Sequence, residues 1–177
     1  VLESLALIHY FGDQAIDALV LVDNSVGEDP APKVRSGFIK RLRSDREATV
    51  TAFVRSMFKT PQPEDYLDEL SRKALRTPLE ASVALLSYNY PRTFWRQSLY
   101  ATRKPILYAV TPRFAGQASN VREKHPSASI EVFQDAGHAL FVDEPQRFNA
   151  LVDGFIRRSL DCDSCSTVDG PGRREIR

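Results

Sequence analysis

Neither sign of charge dominates this chain: 24 Lys and Arg stand against 23 Asp and Glu in 177 residues, a formal net charge of +1. Such a balance gives no basic field for nucleic acid and no acidic solvating tract. Long apolar runs are missing too. None approaches the roughly 20 residues of a membrane-spanning helix, so neither nucleic acid nor a membrane is an expected partner. Cysteine is scarce: Cys162 and Cys165 are the only two, together near the C-terminus as "CDSC". No histidine stands near them to complete a zinc site, and no strand precedes them as in a redox couple. They read as an incidental pair, and the cysteine-free remainder fits a reducing, cytoplasmic compartment. The sequence also has no Gly-rich phosphate loop, no dinucleotide fingerprint and no His/Glu metal spacing. No metal and no cofactor is therefore expected.

What is present is ordinary for a globular domain, with 42% hydrophobic and 27% charged residues and length enough for a sizeable core. Three segments read as strands. "IDALVLVDNSVGEDP" carries an unbroken apolar run from Ala18 to Val22, suited to a strand buried on both faces of a parallel sheet. "KPILYAVTP" (104–112) reads the same way, and "ASIEVFQDAG" (128–137) alternates, so one of its faces is expected to be wetter. Helical patterns separate them at Phe114–Lys124 and at 145–160, where Phe148, Leu151, Val152, Phe155 and Ile156 form a core stripe. Alternating strands and helices specify an α/β fold with a parallel sheet.

The 70 residues between the first two strands have a different texture, all helical. "SDREATVTAFVRSMF" opens with Ser44 and Glu47 at capping-box spacing. "PEDYLDELSRKAL" starts at Pro63, and "TPLEASVALLSY" has Thr77 and Glu80 as a second capping box. The first residues, "VLESLALIHYFG", open on an amphipathic helix with Leu2, Leu5, Ala6 and His9 on one face. That helix has no start signal, which raises the expectation of further sequence upstream. The segment 161–177 has no periodicity and is expected to be disordered.

Of the three histidines, His9 reads as a packed helix residue and His125 as a cation at a helix C-terminus. His138 differs. It stands in "AGHALFVDEPQRF", after a strand and before a Pro-started helix. With "KPILYAVTP" and "SASIEVFQD" ahead of it, this segment resembles the C-terminal third of an α/β-hydrolase, in which a late strand leads into the loop of the catalytic histidine. "IDALVLVDNS" is similar to the strand that follows the nucleophile helix, and 31–100 is similar to the helical cap; the resemblance spans roughly residues 1–160. It implies an α/β fold, a partial α/β-hydrolase with parallel strands, flanking helices and an inserted all-helical cap. Residues 1–30 and 101–160 would be the C-terminal half of the core, 31–100 the cap and 161–177 the tail.

The resemblance also implies a serine-type hydrolase acting on a small carboxylic ester or related acyl compound, with His138 as general base and acid. Two departures matter. The Gly-x-Ser-x-Gly elbow that carries the nucleophile does not occur in the chain; the nearest imitation is "DNSVG". By family order the elbow falls upstream, so the missing N-terminal half of the same domain is an expected partner. The usual acid position, in "TPRFAGQ", has no acid. Asp23, ending "LVLVD", matches a minority position and is the candidate acid. Asp135 and Asp143, near His138 in sequence, are expected to point to solvent. The aromatics Tyr88, Tyr90, Phe94 and Trp95 are candidates for a substrate pocket or for packing the cap onto the sheet. The competing reading is a non-catalytic fragment or relative that binds a small molecule or partner under the cap.

Overall fold

The computed structural model of the chain describes residues 1–31, 37–87 and 90–161, with residues 160 and 161 described by backbone alone. Tyr88, Cys162, Cys165 and the expected disorder after residue 161 lie outside the described residues. Three parallel strands form one sheet in the order β1 (Leu19–Val22), β2 (Ile106–Val110), β3 (Ala128–Val132). Leu19 pairs with Ile106 and Val22 with Ala109. On the other side Ile106 pairs with Ala128 and Val110 with Val132. The central strand is the most apolar, and all five of its residues are buried, as a strand covered on both faces requires.

Alternate β2 side chains serve different layers. Ile106, Tyr108 and Val110 face a cluster with Leu5 and Ile8 of α1 (Leu2–Phe11) and Leu99 of α6 (Arg92–Ala101). Phe114 and Val121 join it, the first from the 3-10 turn Pro112–Phe114, the second from α7 (Ala115–Lys124). Ala109 faces a smaller cluster of Phe133 and Leu140, closed by Phe148 and Leu151. Phe133 follows β3, Leu140 opens α8 (Leu140–Asp143), and Phe148 and Leu151 come from α9 (Pro145–Asp161). Helices thus cover both faces of the sheet.

The coverage fails at β1. Leu19 and Leu21 are buried but Val20 is 37% exposed, so the run expected to be buried on both faces is buried on one. Among the described residues β1 pairs only with β2, leaving a free ladder edge beside a bare apolar side chain, a combination that favours self-association. The 177-residue chain alone is expected to sediment as oligomers, and Val20→Lys to raise its monomer fraction. A monomeric chain with a sharp cooperative melt would count against this.

Between β1 and β2 run α2 (Phe38–Ser44), α3 (Arg46–Arg55), α4 (Glu64–Ala74) and α5 (Leu79–Ser87) before α6. The cap of α3 is Asp45, whose carboxylate accepts from the Ala48 N–H at 3.0 Å. Ser44, the expected cap, is instead the last residue of α2. Arg43 makes a bidentate pair with Glu80, and Arg55 pairs with Glu64; these tie α2 to α5 and α3 to the start of α4.

Three further expectations change. The buried face of α1 is Leu5 and Ile8; His9 is exposed and meets Phe94 at a tilt, 4.3 Å between centroids. His125 is buried, with Nε2 3.0 Å from the Thr102 carbonyl oxygen, so it is a satisfied interior ring. Ile156, counted in the α9 stripe, is exposed. Among the described residues no helix is long and apolar enough to cross a membrane.

Candidate active site

Asp23 is the first residue past β1, and its backbone N–H still donates to Ala109 O at 2.8 Å, extending the ladder by one bond. It then turns with φ 36, a left-handed conformation uncommon outside glycine and best tolerated by Asn and Asp. The turn lifts its carboxylate over the C-terminal ends of the strands, the side on which open α/β sheets hold ligands. The carboxylate is only 3% exposed, so its charge needs donors. Thr111, one residue past β2, supplies two to Oδ1, its backbone N–H and its hydroxyl, each at 2.7 Å. The other oxygen, Oδ2, lies 2.9 Å from Nδ1 of His138.

The loop after Asp23 is held on both sides. Tyr108 OH donates to Asn24 O at 2.6 Å. Burial first, and the Asp23 charge second, push that phenol above its ordinary pKa, so it stays a neutral donor. Gln117 of α7 accepts from Ser25 Oγ and Val26 N–H and donates to Pro30 O. Glu28 is buried and receives Tyr100 OH at 3.1 Å and Lys124 Nζ at 3.0 Å. Burial acts to raise its pKa, but those two hydrogen bonds and nearby cationic charge outweigh it and leave it lowered. Gly27 has φ +85 and lies where a Cβ would be 2.2 Å from Arg92 O.

His138 comes from the loop after β3. Its side chain is 49% exposed, and Nε2 has no hydrogen-bond partner among the described residues. The ring lines a cleft of about 890 Å³ whose other walls include Phe38, Leu42, Ala52, Phe53 and Met57 of α2, α3 and the turn after α3. The arrangement therefore offers one buried acid, an imidazole oriented through Nδ1, and a second ring nitrogen on a ring that lines a largely apolar cleft. With Nδ1–H donating to the carboxylate, Nε2 carries the lone pair and can accept a proton.

The described aromatic candidates, Tyr90, Phe94 and Trp95, lie elsewhere. Tyr90 stacks on Phe94 at 4.2 Å, and Phe94 meets Trp95 edge-on at 4.6 Å. Tyr90 OH is 2.6 Å from Tyr10 OH on α1. These rings pack α6 onto α1 and line no part of the cleft that holds His138. Asp143, expected in solvent, is turned inward. Burial acts to raise its pKa, but donors from Thr60, Lys59 and Gly137 outweigh it and hold the carboxylate lowered. Asp135 does face solvent, paired with Lys59 at 3.2 Å. Thr111 and the 57–60 loop were not singled out from sequence. No local signal marks Thr111, which meets Asp23 only because β2 lies beside β1. Among the described residues no group of three or more His, Cys, Asp or Glu side chains could hold a metal ion.

Solved structures match this architecture. They include a candidate aryl esterase from Burkholderia cenocepacia (TM-score 0.74, 20% identity, covering 89% of this chain and 60% of that one). A bromoperoxidase from Bacillus anthracis matches at TM-score 0.72 and 16% identity, over 88% of this chain and 63% of that one. An esterase from Exiguobacterium antarcticum matches at 0.67 and 18%, over 87% and 62%. No family model matches the sequence, and no curated protein does. The fold is that of the α/β-hydrolases, present in part: the chain spans about 60% of the length of these structures.

Proposed function

We propose that this site is the acid–base half of a serine-type α/β-hydrolase acting on a small carboxylic ester or related acyl compound. His138 is its general base and then general acid, Asp23 is the acid that fixes the imidazole tautomer, and α2–α5 form the cap over the acyl group. The observation that carries this reading is the 2.9 Å hydrogen bond between a buried carboxylate and Nδ1 of a ring that lines a largely apolar cleft. An isolated surface histidine has neither partner nor cleft. Esterases among the similar folds favour an ester over other acyl groups. Such a reaction needs a hydroxyl at Nε2, and the proposed source is a Gly-x-Ser-x-Gly elbow on the missing N-terminal half of the same domain, since these 177 residues contain none. A cytoplasmic setting goes with this reading.

The test is hydrolysis of p-nitrophenyl acetate. In the protein that includes the elbow, His138→Ala should lower kcat by about 10⁶-fold, the order seen when the histidine of a catalytic triad is removed. The 177-residue chain alone should show no His138-dependent burst. Unchanged turnover in the His138→Ala protein would remove the hydrolase reading and leave the cleft as a binding site.

A further inference from the structure

Both residues flanking His138 are tied to the same distant loop, Ala139 directly and Gly137 through Asp143. Ala139 N–H donates to Met57 O at 2.9 Å. Gly137 N–H donates to Oδ2 of Asp143 at 2.6 Å. That same Oδ2 accepts from Lys59 N–H at 2.9 Å. Oδ1 of Asp143 accepts from Thr60 N–H at 3.0 Å and from the Thr60 hydroxyl. One carboxylate thus gathers four donors, three from residues 59 and 60 and one from the residue before the histidine. The fit around it is close: a Cβ on Gly137 would lie 2.6 Å from Met57 O and 2.9 Å from Lys59 N. Residues 57–60 follow α3, whose inner side walls the cleft.

We infer that Asp143 is a positioning residue for His138: its carboxylate bolts the histidine loop to residues 57–60, so the reach of the imidazole toward Asp23 is set through the helical segment that walls the cleft. The inference rests on the His138–Asp23 pair having the role given above. Only a carboxylate suits this position. It accepts at both oxygens, whereas an amide presents one oxygen and an NH2 group that faces other N–H groups. With the bolt loosened, the backbone on either side of His138 gains freedom, and a hydrogen bond that depends on 2.9 Å placement is the first thing lost. Asp135 is the control, because it pairs with the same Lys59 from an exposed position and touches neither Gly137 nor Thr60.

Two readouts on the full-length protein, labelled with ¹⁵N, test this. The first is the proton on His138 Nδ1, whose resonance is seen only while its hydrogen bond to Asp23 protects it. The second is amide hydrogen exchange at Gly137 and Ala139. Asp143→Asn should abolish or broaden the first signal and speed exchange at both amides by about tenfold or more. Thr60→Val should give a smaller change in the same direction, and Asp135→Ala none. If Asp143→Asn does not fold, Thr60→Val decides alone. Unchanged signals in a folded Asp143→Asn or Thr60→Val protein would overturn the inference, as would an equal loss in Asp135→Ala. Absence of the Nδ1 proton signal in the unaltered protein would instead overturn the His138–Asp23 pairing; the amide exchange would still judge the bolt.

Discussion

In the protein that includes the proposed elbow, Asp23→Asn should lower kcat for the proposed ester hydrolysis by about 10⁴-fold, the order found when a triad acid is made an amide, with KM little changed. Thr111 dictates how the substitution fails. Its N–H and hydroxyl both donate to Oδ1, so the amide oxygen must take that place and the NH2 group must face Nδ1 of His138. A ring that meets a donor at Nδ1 carries its proton on Nε2, the nitrogen that should receive one. The effect is one of tautomer, not of folding. Asn tolerates the left-handed backbone of residue 23 as well as Asp does, so the melting temperature should move by only a few degrees. Steady-state kinetics beside thermal melts check this; a variant that keeps more than a tenth of its turnover would mean that Asp23 merely caps its loop.

The largest stability effect should come from Gly27→Ala. Residue 27 has φ +85, and the added methyl would stand 2.2 Å from Arg92 O and 2.9 Å from Arg96 N. Both are backbone atoms of α6, so no side chain can swing aside. Either α6 retreats, pulling Leu99 out of the core, or the loop from Asp23 to Pro30 is displaced. A loss of about 3 kcal/mol or more follows from strain and overpacking together, about 10 °C in Tm for a domain of this size. Gly12 supplies the comparison, since its φ is +76 but nothing lies within 4 Å of its Cβ position; Gly12→Ala should lose only the backbone strain, about 1–2 kcal/mol. Equal melts for the two variants would refute the packing argument.

The strands and the helices flanking the histidine were legible because their signals are local. The apolar run of 106–110 and the stripe led by Phe148, Leu151 and Phe155 each lie within one element. The loop of His138 was legible for the same reason, as a strand, a glycine and a Pro-started helix in unbroken order. What could not be read depends on which elements become neighbours. Asp23 and His138 are 115 positions apart and meet because β1 and β3 both flank β2. Nothing near Thr111 in sequence announces that it faces Asp23. The aromatic run at 90–95 carries no mark of whether it will meet a ligand or another helix; it meets His9 and Tyr10 of α1. Asp143 was placed in solvent because its partners, Lys59 and Thr60, lie more than 80 positions away. The Ser44 and Asp45 caps differ by one position, and both residue types cap well. Only the end of α2 at Ser44 settles which is used.

The fastening of residues 57–60 to residues 137, 139 and 143 has a consequence for anyone recombining this scaffold. Exchanging its helical insertion for a foreign one, to alter what the cleft admits, would sever the three hydrogen bonds from residues 59 and 60 that end on Asp143 and the one from Ala139 to Met57. A graft cut at the sheet boundaries alone would deliver new walls and a slack histidine together. Carrying Met57 to Thr60 across with the recipient's own residue 143 would keep those two properties separable.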